Sequence, residues 1–155
     1  MTGNKSMIVP TRLFVAVPGL MLMAAAPAQT FDGSQRLLCA ASEILVCEPV
    51  SGCEQVTAES VNAPRFLLID PETQTVSGVR PELDQRSSAI ENAENLDGKF
   101  IIQGIEDGRE SVRDGLGWSL TISEERGTMV LTAAAEDLAY TVFGACTSLE
   151  SVADD

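Results

Sequence analysis

Histidine is absent from all 155 residues. That removes Ser-His and Cys-His nucleophilic catalysis, histidine acid–base chemistry and histidine-ligated zinc or haem. A Ser-Lys pair would have to use Lys99, the only lysine after Lys5, and Lys99 follows Asp97-Gly98 at a strand start, where a solvated lysine is ordinary. Two carboxylates suffice for glycoside hydrolysis, but with 23 acidic residues pairs fall at any separation by chance. No pair is marked by an apolar surround, so the acids read as a solvated surface. Glu106, Asp107, Glu110 and Asp114 crowd one segment and offer the oxygen ligands calcium wants, yet Arg109 and Arg113 interleave and neutralise them. Asn95-x-Asp97-Gly98 resembles part of a calcium loop, but Ala93 and Gly104 occupy its first and last ligand positions. The sequence therefore assigns no catalytic residue, no metal ligand and no cofactor.

The four cysteines, Cys39, Cys47, Cys53 and Cys146, include no Cys-x-x-Cys pair. What they do depends on compartment. Lys5 and Arg12 precede an apolar run over 13–26, and Ala26-Pro27-Ala28 follows it. A basic region, a short apolar region and an Ala-x-Ala site are the parts of a secretory signal peptide. The run is too short to span a bilayer comfortably, and Pro18-Gly19 interrupts it. Residues 1–28 are thus expected to be a signal peptide and 29–155 a single mature domain, periplasmic or secreted. No cysteine follows the cleavage site to carry a lipid. In an oxidising compartment an even cysteine count reads as two disulfides, with three pairings possible.

Losing Lys5 and Arg12 leaves eight basic residues against 23 acids, a formal charge of roughly −15. Such a surface repels nucleic acid and anionic lipid and attracts a basic protein. The chain keeps too many apolar residues to be disordered.

The elements read as strands. Trp118, Leu120 and Ile122 alternate with Ser119, Thr121 and Ser123; Met129, Leu131 and Ala133 alternate with Thr128, Val130 and Thr132. Period-two alternation sends one set to a core and the other to water, and Glu124-Glu125-Arg126-Gly127 between them ends on the glycine a hairpin requires. Trp118 belongs with the core set. Further strands are expected over 36–47, 54–61, 65–69, 74–79, 100–105 and 138–146. The first has apolar residues on both parities, so it is covered on both faces or bent between two sheets. Asp70-Pro71-Glu72-Thr73 fits a type I turn. Residues 29–35 and 147–155 are polar ends around a core of about 36–147.

No long helical period and no internal repeat occur. Many short strands between turn residues argue for an all-β domain: a small antiparallel up-and-down β-barrel or barrel-like sandwich of about eight strands, disulfide-linked. In a closed barrel with an even strand number the first and last strands are antiparallel, which brings Cys39 to Cys146 and leaves Cys47 to Cys53 across a short turn. A ninth candidate strand over 87–91 breaks that parity and is left out of the expected barrel.

The layout resembles the small exported β-rich proteins of Gram-negative bacteria that carry no assigned function. Ser77-Gly78-Val79-Arg80 also resembles the Ser-Gly-x-Arg-Tyr type motif of the periplasmic inhibitors of c-type lysozyme, with Pro81 in place of the tyrosine. That resemblance implies a small disulfide-bearing barrel that captures a basic muramidase through Ser77 and Arg80. The residues themselves point to a non-enzymatic binding or envelope-accessory protein. Its expected contacts lie at the end carrying Arg80-Pro81 or the Glu106–Gly117 segment, with Glu106, Asp107, Glu110 and Asp114 facing a basic partner. A carboxylate-based hydrolase is the rival class.

Overall fold

A computed structural model describes residues 30–79, 87–108 and 115–149. The expected signal segment 1–28, Arg80, Glu110, Asp114 and the tail from 150 lie outside the described residues. Among the described residues every regular element is a strand, and every pairing is antiparallel. The central hairpin follows its alternation. In β8 (Leu116–Ser123) Trp118, Leu120 and Ile122 are buried, and in β9 (Thr128–Ala134) Met129 and Ala133 are. The Gly127 N–H donates to the Ser123 carbonyl at 2.8 Å. Gly127 has φ +66°, and a Cβ there would meet the Phe31 ring at 2.7 Å and the Cys146 carbonyl at 2.8 Å, so glycine is required twice over.

Strand β1 (Arg36–Glu48) explains its own double apolar parity. Leu37 and Cys39 face the core, then a bulge at Ser42 shifts the register between Ala41 and Glu43, and Ile44 and Val46 face the core instead. One extra residue exchanges the two faces of a strand. The Ser42 hydroxyl donates to the Phe143 carbonyl across the bulge at 3.0 Å. One edge of β1 pairs along its length with β10 (Ala139–Leu149). The other edge is shared: β3 (Phe66–Asp70) takes residues 37–40 and β2 (Gly52–Val56) takes 44–48. The strand expected over 54–61 therefore stops at Val56. Beyond it the chain turns, with the Ala63 N–H donating to the Ala58 carbonyl at 2.8 Å. The Asp70 turn forms as expected, its Oδ1 accepting from the N–H of Glu72 (3.0 Å) and Thr73 (3.2 Å), and β4 (Thr75–Val79) returns along β3.

The strand path is β5-β4-β3-β1-β10-β9-β8-β7-β6, with β2 beside β1. Here β5 is Ser87–Ala89, β6 is Asn92–Leu96 and β7 is Lys99–Glu106. The ladders form one open ten-stranded sheet rather than a closed eight-stranded barrel. The two ends of the path are, however, consecutive in sequence. Only Ile90 and Glu91 separate β5 from β6; the Ile90 N–H donates to the Gln74 carbonyl on one side and the Glu91 N–H to the Gln103 carbonyl on the other, both at 2.8 Å. The segment 87–91, left out of the expected barrel, is thus extended and paired, and with β6 it forms a run that changes partner halfway, from β4 to β7. This run, β2 and the split edge of β1 account for ten strands where about eight were expected.

The curled sheet encloses a core led by Leu37, Cys39, Ile69, Ile102, Leu120 and Ile122, each without solvent exposure. Phe31 and Ala58, from the segments before β1 and after β2, join it. Phe31 lies in what the sequence presents as a polar end; a lone aromatic outside any periodic pattern gives no signal of burial. Among the described residues the buried set contains no polar or charged side chain apart from the Trp118 indole. Cys39 bonds Cys146 and Cys47 bonds Cys53, each between directly paired residues.

Gly104 marks where β5 meets β7. A Cβ at Gly104 would lie 2.3 Å from the Ala89 carbonyl oxygen and 2.5 Å from the Trp118 ring. Gly117, its near neighbour on β8, has nothing within 4 Å. Gly104→Ala is expected to lower unfolding stability by about 1–3 kcal/mol through overpacking, and Gly117→Ala by less than about 0.5 kcal/mol. Urea titration of both variants checks this; equal stabilities would contradict the packing at Gly104.

Candidate functional site

The residues singled out for chemistry fall at separate places. Ser77 sits on the outer face of β4, paired with Leu68 on one side and Ser87 on the other. Gly78 points inward against Pro64, whose Cβ would lie 2.9 Å from a methyl group placed on Gly78. Glu106 ends β7 opposite Leu116, and Asp107 follows it. Counted along the antiparallel ladders, β4 and β7 run in the same sense, so Val79 and Glu106 end their strands toward the same side of the molecule. Asp97-Gly98 is a two-residue hairpin turn between β6 and β7, with φ +52° and +72°. Two successive positive φ values are what an Asp-Gly turn of type I′ supplies, so Asn95-x-Asp97-Gly98 serves a turn. Among the described residues no three His, Cys, Asp or Glu side chains are placed to hold a metal ion.

Ion pairs tie the exterior locally: Arg36 to Asp70 at 3.3 Å, Lys99 to Asp97 at 3.5 Å, and Arg65 to Glu59. The last spans the segment between β2 and β3. It works beside a backbone bond from the Ala41 N–H to the Arg65 carbonyl at 2.9 Å, next to the bulge. Among the described residues two carboxyls are displaced from their ordinary range, both downward. Hydrogen bonds from the Ser34 hydroxyl and N–H lower Asp32, and the Arg65 guanidinium lowers Glu59 to about 2. Each displacement favours the ionised form, the reverse of what a general acid at neutral pH requires.

The outer face of β7–β10 is organised differently. Reading across the register, one row is Ile101, Thr121, Val130 and Phe143. The next is Gln103, Ser119, Thr132 and Thr141, and a third is Ile105, Gly117, Ala134 and Ala139. None of these side chains is ionisable, in a chain with a formal charge of −13. Val130 and Phe143 are 38 % exposed and Ile105 61 %. Gly117, Ala134 and Ala139, which project little, line an open depression of about 510 Å³ together with the whole second row. A second depression of about 410 Å³, toward the 124–127 turn, adjoins the first row: Thr121 and Val130 line it together with Lys99, Ser123, Glu125, Arg126 and Thr128. The sequence contained this face as the outward parity of the strands whose inward parity defines the core. Its mark is the lack of charge rather than any motif.

No family model matches this chain, and neither a curated protein nor a solved structure matches it. The functional reading rests on the residues themselves.

The Glu59–Arg65 pair gives a pH prediction. The folded-state value of Glu59 lies below its ordinary 4.5, so its stabilising effect is present above that value and is lost as pH falls toward about 2. Carboxyl NMR titration is expected to place the Glu59 midpoint near 2, and Arg65→Ala to return it toward 4.5. An unchanged midpoint in Arg65→Ala would contradict the pairing.

Proposed function

We propose that this is an exported, non-enzymatic binding or envelope-accessory protein that recognises its partner with its exterior. The observation that carries this reading is the filled interior. The space a small β-barrel offers to a ligand is occupied here by apolar side chains and the Cys39–Cys146 bridge. A two-carboxylate hydrolase needs one acid raised in an apolar cleft, whereas among the described residues the two displaced carboxyls, half-buried Asp32 and exposed Glu59, are both lowered. Export is supported by the tripartite leader and by four cysteines held in two disulfides.

The partner proposed is a basic protein, steered by an acidic surface and met at the end where β4 and β7 finish. Ser77, Arg80, Glu106, Asp107, Glu110 and Asp114 are its contact residues. The test is a pull-down from envelope extract with the mature protein, whose N-terminus mass spectrometry is expected to place at Gln29. A basic protein should be retained at low salt and released at high salt, because exposed charges are screened within about 8 Å at physiological ionic strength. A variant with Glu106, Asp107, Glu110 and Asp114 changed to serine should lose it. A captured muramidase released by Ser77→Ala would identify the partner class as a cell-wall hydrolase. Retention that is equal at both salt levels and in the four-serine variant would overturn the reading.

A further inference from the structure

From the three rows on the outer face of β7–β10 that carry no ionisable side chain we infer a second activity of the surface, independent of the acidic end: reversible pairing with a second copy of this chain, face to face. Two chains of charge −13 repel wherever acids oppose each other, and like charges brought together across an interface are strongly unfavourable. The three rows of this face present no charge to a partner. Glu94, opposite Ile101, and Glu43, opposite Phe143, mark where they end on either side, and Lys99, one row beyond Ile101 on the same face of β7, marks where they end toward the 124–127 turn. A protein of opposite charge would gain nothing from such a surface, whereas a copy of the same surface meets it without penalty.

The chemistry of the rows is also self-complementary. Hydroxyls both donate and accept, so the Ser119, Thr132 and Thr141 row can satisfy itself across a two-fold axis, as an isologous contact demands. Exposed Val130 and Phe143 are cross-strand neighbours, and the depression over Gly117, Ala134 and Ala139 leaves room for an apolar side chain from the opposing face. Size sets the strength. Four strands about 4.8 Å apart and three outward rows about 7 Å apart cover roughly 400 Å² per copy. That is about half of the roughly 800 Å² per partner of a standard interface, so the pairing is weak and concentration-dependent.

Sedimentation equilibrium of the mature protein between about 10 μM and 1 mM, at low and high NaCl, tests the pairing. A monomer–dimer equilibrium is expected whose dissociation constant falls at least about threefold as salt rises, because salt screens the remaining repulsion between the acidic bodies. This dependence is opposite to that of the basic partner, so the two readings fail separately. Val130→Glu and Thr132→Glu should each weaken the dimer at least about tenfold. Val50→Glu adds the same charge at a fully exposed turn position and should leave the dimer as it is. Thermal melts verify folding, and Thr132→Glu, at an already polar exposed site, gives the answer should Val130→Glu not fold. A monomer throughout this range, or a Thr132→Glu variant that pairs like the parent, would overturn the inference.

Discussion

The pairing of the first strand with the last is the constraint on which the rest of this structure depends. β1 and β10 are registered over residues 36–47 and 139–149, so the two ends of the domain are one ladder. The Cys39–Cys146 bridge lies inside that ladder, with Cys39 fully buried. The Cys146 N–H points the other way, donating to the Gly127 carbonyl at 2.8 Å. The cystine thus occupies a position where β1 and β10 exchange no hydrogen bond and side chains stand closest. All remaining strands hang from this pair: β9, β8, β7 and β6 in succession on the β10 side, and on the other edge of β1 both β2 and the succession β3, β4 and β5. Because the ladder joins residues 107 apart, its loop-closure entropy is large, and oxidation of that cysteine pair offsets it.

How much of this could be read from the residues divides along physical lines. The β8–β9 hairpin, its core parity and Trp118 were legible because a half-buried strand writes its face as a period of two. The disulfide pairing followed from requiring antiparallel first and last strands, and the ladder supplies that arrangement. Two features were not legible. The bulge at Ser42 exchanges faces within β1, so its sequence shows apolar residues on both parities without saying where the exchange occurs. The run from Ser87 to Leu96 changes partner at Ile90-Glu91 and yields two short polar strands with no alternation of their own. Its strand character comes from hydrogen bonds to Gln74 and Gln103, which local sequence does not encode.

The candidate surfaces show the same division. Acids clustered after Glu106 are conspicuous in sequence, but their type says only that they are solvated and repel anions. The three uncharged rows on β7–β10 are silent in a linear reading, since Thr, Ser, Gly and Ala at alternate positions look like ordinary outward residues. They become a feature only when the register lines up Val130 with Phe143 and Gly117 with Ala134. The three neutral rows are bordered by charge within the sheet itself, Glu43 on β1 and Glu94 on β6.

The measurement that bears most directly on the role of the β1–β10 clasp is a comparison of two cystine deletions by denaturant unfolding. In the chain-entropy picture the 107-residue closure is worth about 4.8 kcal/mol and the 6-residue closure of Cys47–Cys53 about 2 kcal/mol. Cys39→Ala with Cys146→Ala should therefore cost at least twice as much as Cys47→Ala with Cys53→Ala, and should loosen amide protection along β1 and β10 together. Equal losses, or a larger loss from the Cys47–Cys53 deletion, would show that the domain does not depend on joining its first strand to its last.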